Sequence, residues 1–264
     1  MVNLLRAEFY KLRKCTAFQI TCVLTVLFTA IAYLFRMLVE NQMIGNAQVQ
    51  QLERMAENNI FYMLHQMYAK SNTILFATVF ICIFVITDYS SGAIKNFVGK
   101  GFSRKGIYMA KFLAAELGAV AIYLLTALAV LIGAVIAWGP GQLAWPVLAG
   151  AASYLSMHIV YLTAYTAIIM MVCEVTRSMA AGICCSILGI MLFSGFLFQG
   201  IDLAAGAFGS SVRISEYWIM NVIAGCPDTD IPPSFMIRSG IIAAVWLLVS
   251  LAAGMFHFFR EDIK

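Results

Sequence analysis

The chain has 264 residues, 62% of them hydrophobic and only 11% charged, and its mean hydropathy is +0.88. A soluble domain averages roughly 45–50% apolar and about 25% charged residues, so this composition excludes an ordinary water-soluble globule and describes a surface that faces lipid. The net charge of +4 is too small to imply nucleic-acid binding, and the placement of the charges says more than their sum.

At helical spacing Met1, Leu5, Phe9 and Leu12 share one face of residues 1–15, while Arg6, Lys11, Arg13 and Lys14 occupy much of the rest. This predicts an amphipathic interfacial helix on a membrane surface. The apolar run 16–38 is too long for the h-region of a signal peptide, about 7–15 residues. At about 1.5 Å per residue it crosses a hydrocarbon core of about 30 Å and is read as the first transmembrane helix. Residues 39–70, rich in Gln, Asn and Glu, are expected to be extracellular and partly helical. A second span follows at 71–87.

Residues 88–106 are polar, basic and punctuated by glycine. Lys95, Lys100, Arg104 and Lys105, offset only by Asp88, mark a cytoplasmic loop under the positive-inside rule. A helix at 91–98, with Ser90 or Ser91 as N-cap and an end near Gly99 and Gly101, would be a rigid knob presented to the cytosol. Short connections on both sides tie it to the spans before and after it.

The third span covers 107–137, with Glu116 near its start. Trp138-Gly139-Pro140-Gly141 and Trp145-Pro146 mark an outer turn in the aromatic belt. The fourth span is 147–173, Glu174 to Ser178 form an inner turn, and the fifth span is 179–201. Gly182, Ser186 and Gly189 give that helix a small-residue face for packing or for a dimer contact. Residues 202–237 are a second extracellular segment. Its stretch 211–225 is too apolar for a solvated loop and too short to span, which suits a re-entrant or interfacial helical hairpin. The last span is 238–259.

These boundaries make one all-α transmembrane domain over 1–264, with six spans. They put twelve of the seventeen Lys and Arg on one side, four in 1–15, five in 95–111, then Arg177, Arg260 and Lys264. Both termini are therefore expected in the cytoplasm.

No enzyme constellation emerges. His-Glu-x-x-His and Gly-x-Ser-x-Gly are absent, and the seven cysteines are scattered without metal-ligand spacing. Of the three histidines only His158 lies at membrane depth, where a neutral imidazole hydrogen-bonded between helices is the plainest role. Gly99-Lys100-Gly101 is not a P-loop, because Ile94 stands where the earlier glycine belongs and Gly101 where Ser or Thr belongs. Any ATP-driven function must use a motor on another chain.

The opening Leu4-Leu-Arg-Ala-Glu8-Phe-Tyr-Lys-Leu-Arg-Lys14, the inner Asp88-Tyr-Ser-Ser-Gly-Ala-Ile-Lys-Asn-Phe97 with Gly101-Phe-Ser-Arg-Lys-Gly-Ile-Tyr108, and the terminal Phe259-Arg-Glu-Asp-Ile-Lys264 resemble the permease subunits of type-2 ABC exporters. More narrowly they look like the small bacterial permeases of bacitracin resistance and lantibiotic self-protection. Asp88 and Gly92-Ala93 stand where such permeases often carry Glu and Gly-Thr.

The resemblance implies that 88–106 is the coupling loop and that Asp88, Tyr89, Ser90, Ser91, Gly92, Lys95, Asn96 and Phe97 receive force from an ATP-binding subunit. Leu5, Phe9, Lys11 and Leu12 then belong to the interfacial helix. It further implies that ATP and Mg bind the partner chain and none binds here. A second permease, identical or related, pairs through spans one and five, and the cargo is an amphipathic or hydrophobic substrate such as an antimicrobial peptide. A secondary transporter and a non-transporting immunity or sensor subunit are the competing functions.

Overall fold

The computed structural model describes residues 2–43, 59–189, 196–208, 213–227 and 231–260, and among them every regular element is helical. The elements in order are α1 (Val2–Lys14), α2 (Thr16–Met43), α3 (Asn59–Tyr68), α4 (Asn72–Ser90), α5 (Ala93–Gly99) and α6 (Arg104–Trp138). A 3₁₀ turn (Pro140–Leu143) leads to α7 (Trp145–Thr176), α8 (Met179–Leu188) and α9 (Phe198–Ala207). A second 3₁₀ turn (Ile214–Tyr217), α10 (Ile219–Ala224) and α11 (Pro233–Arg260) complete the chain.

Among the described residues five stretches are long and apolar enough to cross a membrane: Thr16–Leu38, Ile60–Ser90, Arg104–Trp138, Trp145–Thr176 and Pro233–Arg260. The remaining expected span, 179–201, falls on α8 and the start of α9, with residues 190–195 outside those described. Residues 44–58 of the expected first extracellular segment also lie outside them. The α4 and α7 stretches are each 61% buried against 22% for α2, so α4 and α7 form the middle of the bundle and α2 lies at its edge.

The second apolar stretch begins earlier than composition indicates. Ile60, Met63, Leu64, Met67 and Tyr68 are buried at the i, i+3, i+4, i+7, i+8 spacing of one helix face, so residues 59–68 pack into the bundle although Asn59, His65 and Gln66 make them read as polar loop. A break at 69–71, with Ser71 left-handed at φ 64°, separates α3 from α4. A turn forms between α6 and α7: Gly139 takes φ 87°, a conformation that glycine adopts without a Cβ penalty, and Pro146 lies in the first turn of α7.

On α2 the buried stripe is Thr21, Thr25, Thr29 and Tyr33. Each threonine hydroxyl donates to the carbonyl four residues earlier, at 2.7, 2.8 and 2.9 Å, and Tyr33 donates to the Val130 carbonyl of α6 at 2.7 Å. Small side chains with internally satisfied hydroxyls let α2 approach its neighbours without stranding polar atoms in an apolar medium.

Residues 213–225 fold as the second 3₁₀ turn and α10, while 211 and 212 lie outside the described residues. Trp218, Ile219, Met220, Val222 and Ile223 enter the main apolar core. Trp218 and Trp246 meet edge to face at 5.0 Å, and the Trp246 indole donates to the Tyr217 carbonyl at 2.8 Å. Packing on α7 and α11 thus absorbs the apolar content that singled this stretch out.

Candidate coupling site

The site starts on α1. Its buried face is Leu4 and Glu8, with half-buried Lys11 one turn on, and it packs on α6. This is the neighbour of the face defined by Leu5, Phe9 and Leu12. Leu5 and Leu12 are half-buried and touch the core, and Phe9 is exposed.

Lys11 Nζ donates to the Phe84 carbonyl at 2.9 Å and to Asp88 Oδ1 at 2.5 Å, and stands 4.1 Å over the Phe84 ring. Burial lowers its pKa from the usual lysine range, against the opposing pull of the Glu8 carboxylate. Asp88 also pairs with Lys111 of α6, whose ammonium lies 3.7 Å from Glu8 Oε1. Glu8, Asp88 and Lys111 are each almost fully buried. Two acids and two bases from α1, α4 and α6 therefore form a quartet with no formal net charge. Removing a single member leaves a buried charge uncompensated, which typically costs about 3–5 kcal/mol.

A second polar link joins the ends of α4 and α7. The Tyr89 hydroxyl donates to the buried Glu174 carboxylate. Arg177, left-handed at φ 47°, donates through Nε to the Glu174 carbonyl at 3.3 Å and lies 5.3 Å over the Tyr89 ring. Glu174 sits at a helix end as expected, yet it is enclosed by protein rather than hydrated.

From this base α5 projects. Gly92 precedes it at φ 69° and Gly101 follows it at φ 81°. The N-cap is Gly92, not Ser90 or Ser91: α4 continues through Ser90, whose hydroxyl donates to the Thr87 carbonyl at 3.0 Å, and the left-handed glycine makes the corner. Ile94 is buried in a second apolar cluster with Leu4, Ile107, Tyr108, Phe112 and Phe258, drawn from α1, α6 and α11. Phe97 packs against that cluster and meets Phe102 edge to face at 6.2 Å. Arg104 at the head of α6 donates to the Phe259 carbonyl at 3.0 Å. Ser90, Ser91, Lys95, Asn96, Gly99 and Lys100 are exposed. The result is a short helix with one face rooted where three longer helices meet and the other turned outward.

A family model described as ABC-2 family transporter protein matches residues 4–194, and the quartet, α5 and Glu174 all fall within the match. The chain belongs to the ABC-2 transporter family. It is a multi-pass membrane permease of an ABC transporter. A comparison with curated proteins gives no match.

For this ABC-2 permease the predicted coupling residues separate into two groups. Asp88 and Tyr89 turn inward and bind the bundle together, Gly92 shapes the corner, and Phe97 roots the knob, so the outward face narrows to Ser90, Ser91, Lys95 and Asn96. Reading along 88–106 alone gave Asp88 no partner, because Lys11 and Lys111 come from other elements. Glu8 and Lys111 are the members of the quartet that sequence reasoning passed over. Their trace in the sequence was a single acid among the basic residues of α1 and a lysine four residues into an apolar span.

Gly182 and Ser186 of α8 pack within the chain. A Cβ on Gly182 would stand 2.7 Å from Ile86 Cδ1, and Ser186 Oγ lies 3.8 Å from Cys82 Sγ, both on α4. Gly189 is half-buried. His158 is enclosed by Tyr154, Tyr68 and Tyr161 at ring distances of 4.4, 5.4 and 5.6 Å, and among the described residues neither ring nitrogen has a hydrogen-bond partner. Its surroundings are aromatic packing rather than the interhelical hydrogen bond expected. No group of three or more His, Cys, Asp or Glu among the described residues is placed to hold a metal ion.

Proposed function

We propose that this permease couples ATP hydrolysis on a separate ATP-binding subunit to the export of an amphipathic or hydrophobic substrate, in the first instance an antimicrobial peptide. The observation that carries the reading is the form of α5, a knob whose outer face is free and whose inner face is anchored in a cluster shared by α1, α6 and α11. A partner that closes on ATP and pushes on Lys95 and Asn96 displaces Ile94 and the residues around it. The quartet makes α1, α4 and α6 move with it as one unit, because sliding any of them past the others separates buried charges.

In this reading α5 and both termini face the cytoplasm of a bacterial cell, α1 lies along the inner membrane surface, and 202–237 faces outward. ATP and Mg sit on the partner chain. Two permeases, identical or related, complete the transporter, and the resemblance to bacitracin-resistance and lantibiotic self-protection permeases supplies the substrate class. Membrane lipid surrounds the bundle, and no nucleic acid takes part.

Purification in mild detergent tests the reading. A soluble ATP-binding chain should accompany the permease in stoichiometric amount, and a cysteine at position 95 should cross-link to it while a cysteine at exposed Lys70 should not. Reproducible absence of such a chain would favour a secondary transporter or a non-transporting immunity or sensor subunit.

A further inference from the structure

All seven cysteines are free thiols, and two of them meet where α4 and α7 pack. Cys82, just past the midpoint of α4, accepts a hydrogen bond from the thiol of Cys173, in the last turn of α7, with the sulfur atoms 3.6 Å apart. The Ser186 hydroxyl of α8 stands 3.8 Å from the same Cys82 Sγ. Cys82 and Cys173 are fully enclosed, and Ser186 is 5% exposed.

Burial in apolar surroundings normally keeps a thiol unreactive, because the thiolate is the reacting form. The neighbours of Cys82 oppose that. Once its proton is gone the sulfur can only accept, and the Cys173 S–H and the Ser186 O–H are both placed to donate to it. The same contact holds a second thiol against the first. A disulfide bond is about 2.05 Å long, so closing the pair takes about 1.5 Å of approach by side-chain rotation. A sulfur supported by two donors, with a resolving thiol in contact, is the arrangement of a redox-responsive pair. Its enclosure selects a small uncharged oxidant.

We propose that Cys82 and Cys173 are a modification site for hydrogen peroxide, at which a disulfide staples α4 to α7. Cys82 Sγ attacks one peroxide oxygen, the O–O bond breaks, and the departing hydroxide leaves as water with the proton that the thiol gave up. Cys173 Sγ then displaces the oxygen of the Cys82 sulfenic acid as a second water, and the S–S bond closes. Two thiols give up two electrons, and one peroxide becomes two waters. The consequence for transport rests on the coupling reading above: α4 leads into the knob, so a staple to α7 stops α4 from shifting and halts export.

The test treats the full-length permease in detergent with hydrogen peroxide, blocks the remaining thiols and maps the unreduced tryptic digest by mass spectrometry. Peptides 71–95 and 112–177 carry Cys82 and Cys173 as their only cysteines. They should be found joined and should separate on reduction. Ser186→Ala should slow the joining about fivefold, the scale of one net hydrogen bond. Exposed Cys184 and Cys185 report that peroxide was delivered. Oxidation there with the two peptides still separate would overturn the proposal, as would joining at the wild-type rate in Ser186→Ala. In the assembled transporter the bridged form should lose export until dithiothreitol restores it, and undiminished export by the bridged form would overturn the staple. The peptide link is read without a transport assay, so a fully reduced transporter that exports nothing counts against the coupling mechanism and leaves the bridge to be judged on the digest.

Discussion

Asp88, at the end of α4, and Lys111, on the second turn of α6, form an ion pair buried beneath α5, and the pair closes the two ends of the loop that carries the knob. Residues 89–110 thereby become a short arch with both feet fixed. Asp88→Asn should lower the stability of the detergent-solubilised permease by about 3–5 kcal/mol, because Lys11 and Lys111 are then left with the Glu8 carboxylate alone. Thermal or denaturant unfolding reads this directly. Combining Asp88→Asn with Lys111→Met should cost less than the sum of the single changes by at least about 1 kcal/mol, as expected for residues in one buried network.

Packing at the same end makes a separate prediction. Gly118 of α6 is the place where Phe80 of α4 and Leu12 of α1 approach the α6 backbone, and a Cβ there would collide with the Phe80 ring. Gly118→Val should therefore destabilise by about 1–3 kcal/mol, the usual cost of overpacking a filled core. Phe80→Leu in the same protein should restore part of the loss. If the single change leaves the unfolding midpoint unmoved, α4 is not seated on α6 as described.

The contact between α9 and the second 3₁₀ turn gives a pH-dependent outcome. Asp202 accepts hydrogen bonds from the Ser215 hydroxyl, from the Ile214 amide at 2.6 Å and from the Ser215 amide at 3.1 Å. The Ser215 hydroxyl in the first place, and then the two amides and nearby Arg213, hold its pKa below the ordinary carboxyl value. Because the folded pKa is depressed, this contribution is complete above the unfolded value of about 3.9 and is lost as pH falls through the folded one. Fluorescence of Trp218, four residues beyond Ile214, should report loosening only in that acid window. Asp202→Asn should show the loosened signal at neutral pH and no acid transition.

Much of this architecture is legible in residue order. The long apolar runs announce their helices, glycine and proline place the turn at 139–146, and the basic punctuation of 88–106 locates a helical knob within a few residues. Legibility fails where a residue's partners lie far along the chain. Asn59 to Tyr68 read as loop because the polar residues between its apolar ones hide a face that α4, α6 and α7 make into an interior. Asp88 read as a contact for another protein because the two lysines that enclose it are 77 residues before it and 23 after it. Glu8, Lys111 and Glu174 looked like ordinary charges near membrane boundaries, and tertiary structure alone turns Glu8 and Lys111 toward each other and Glu174 toward Tyr89. Gly182 and Ser186 show the reverse case, in which small residues at helical spacing mark a face for packing but cannot say that α4 of the same chain lies against it.

The central claim is that the outer face of α5 takes force and the buried quartet passes it on. The direct measurement is export per ATP hydrolysed by the assembled transporter carrying Lys95→Glu and Asn96→Asp, both exposed positions whose exchange should leave the unfolding midpoint unchanged. Export per ATP should fall about tenfold, a coupling change of about 1.4 kcal/mol, while the ATP-binding subunit still hydrolyses ATP. Wild-type export per ATP in that variant would contradict the account.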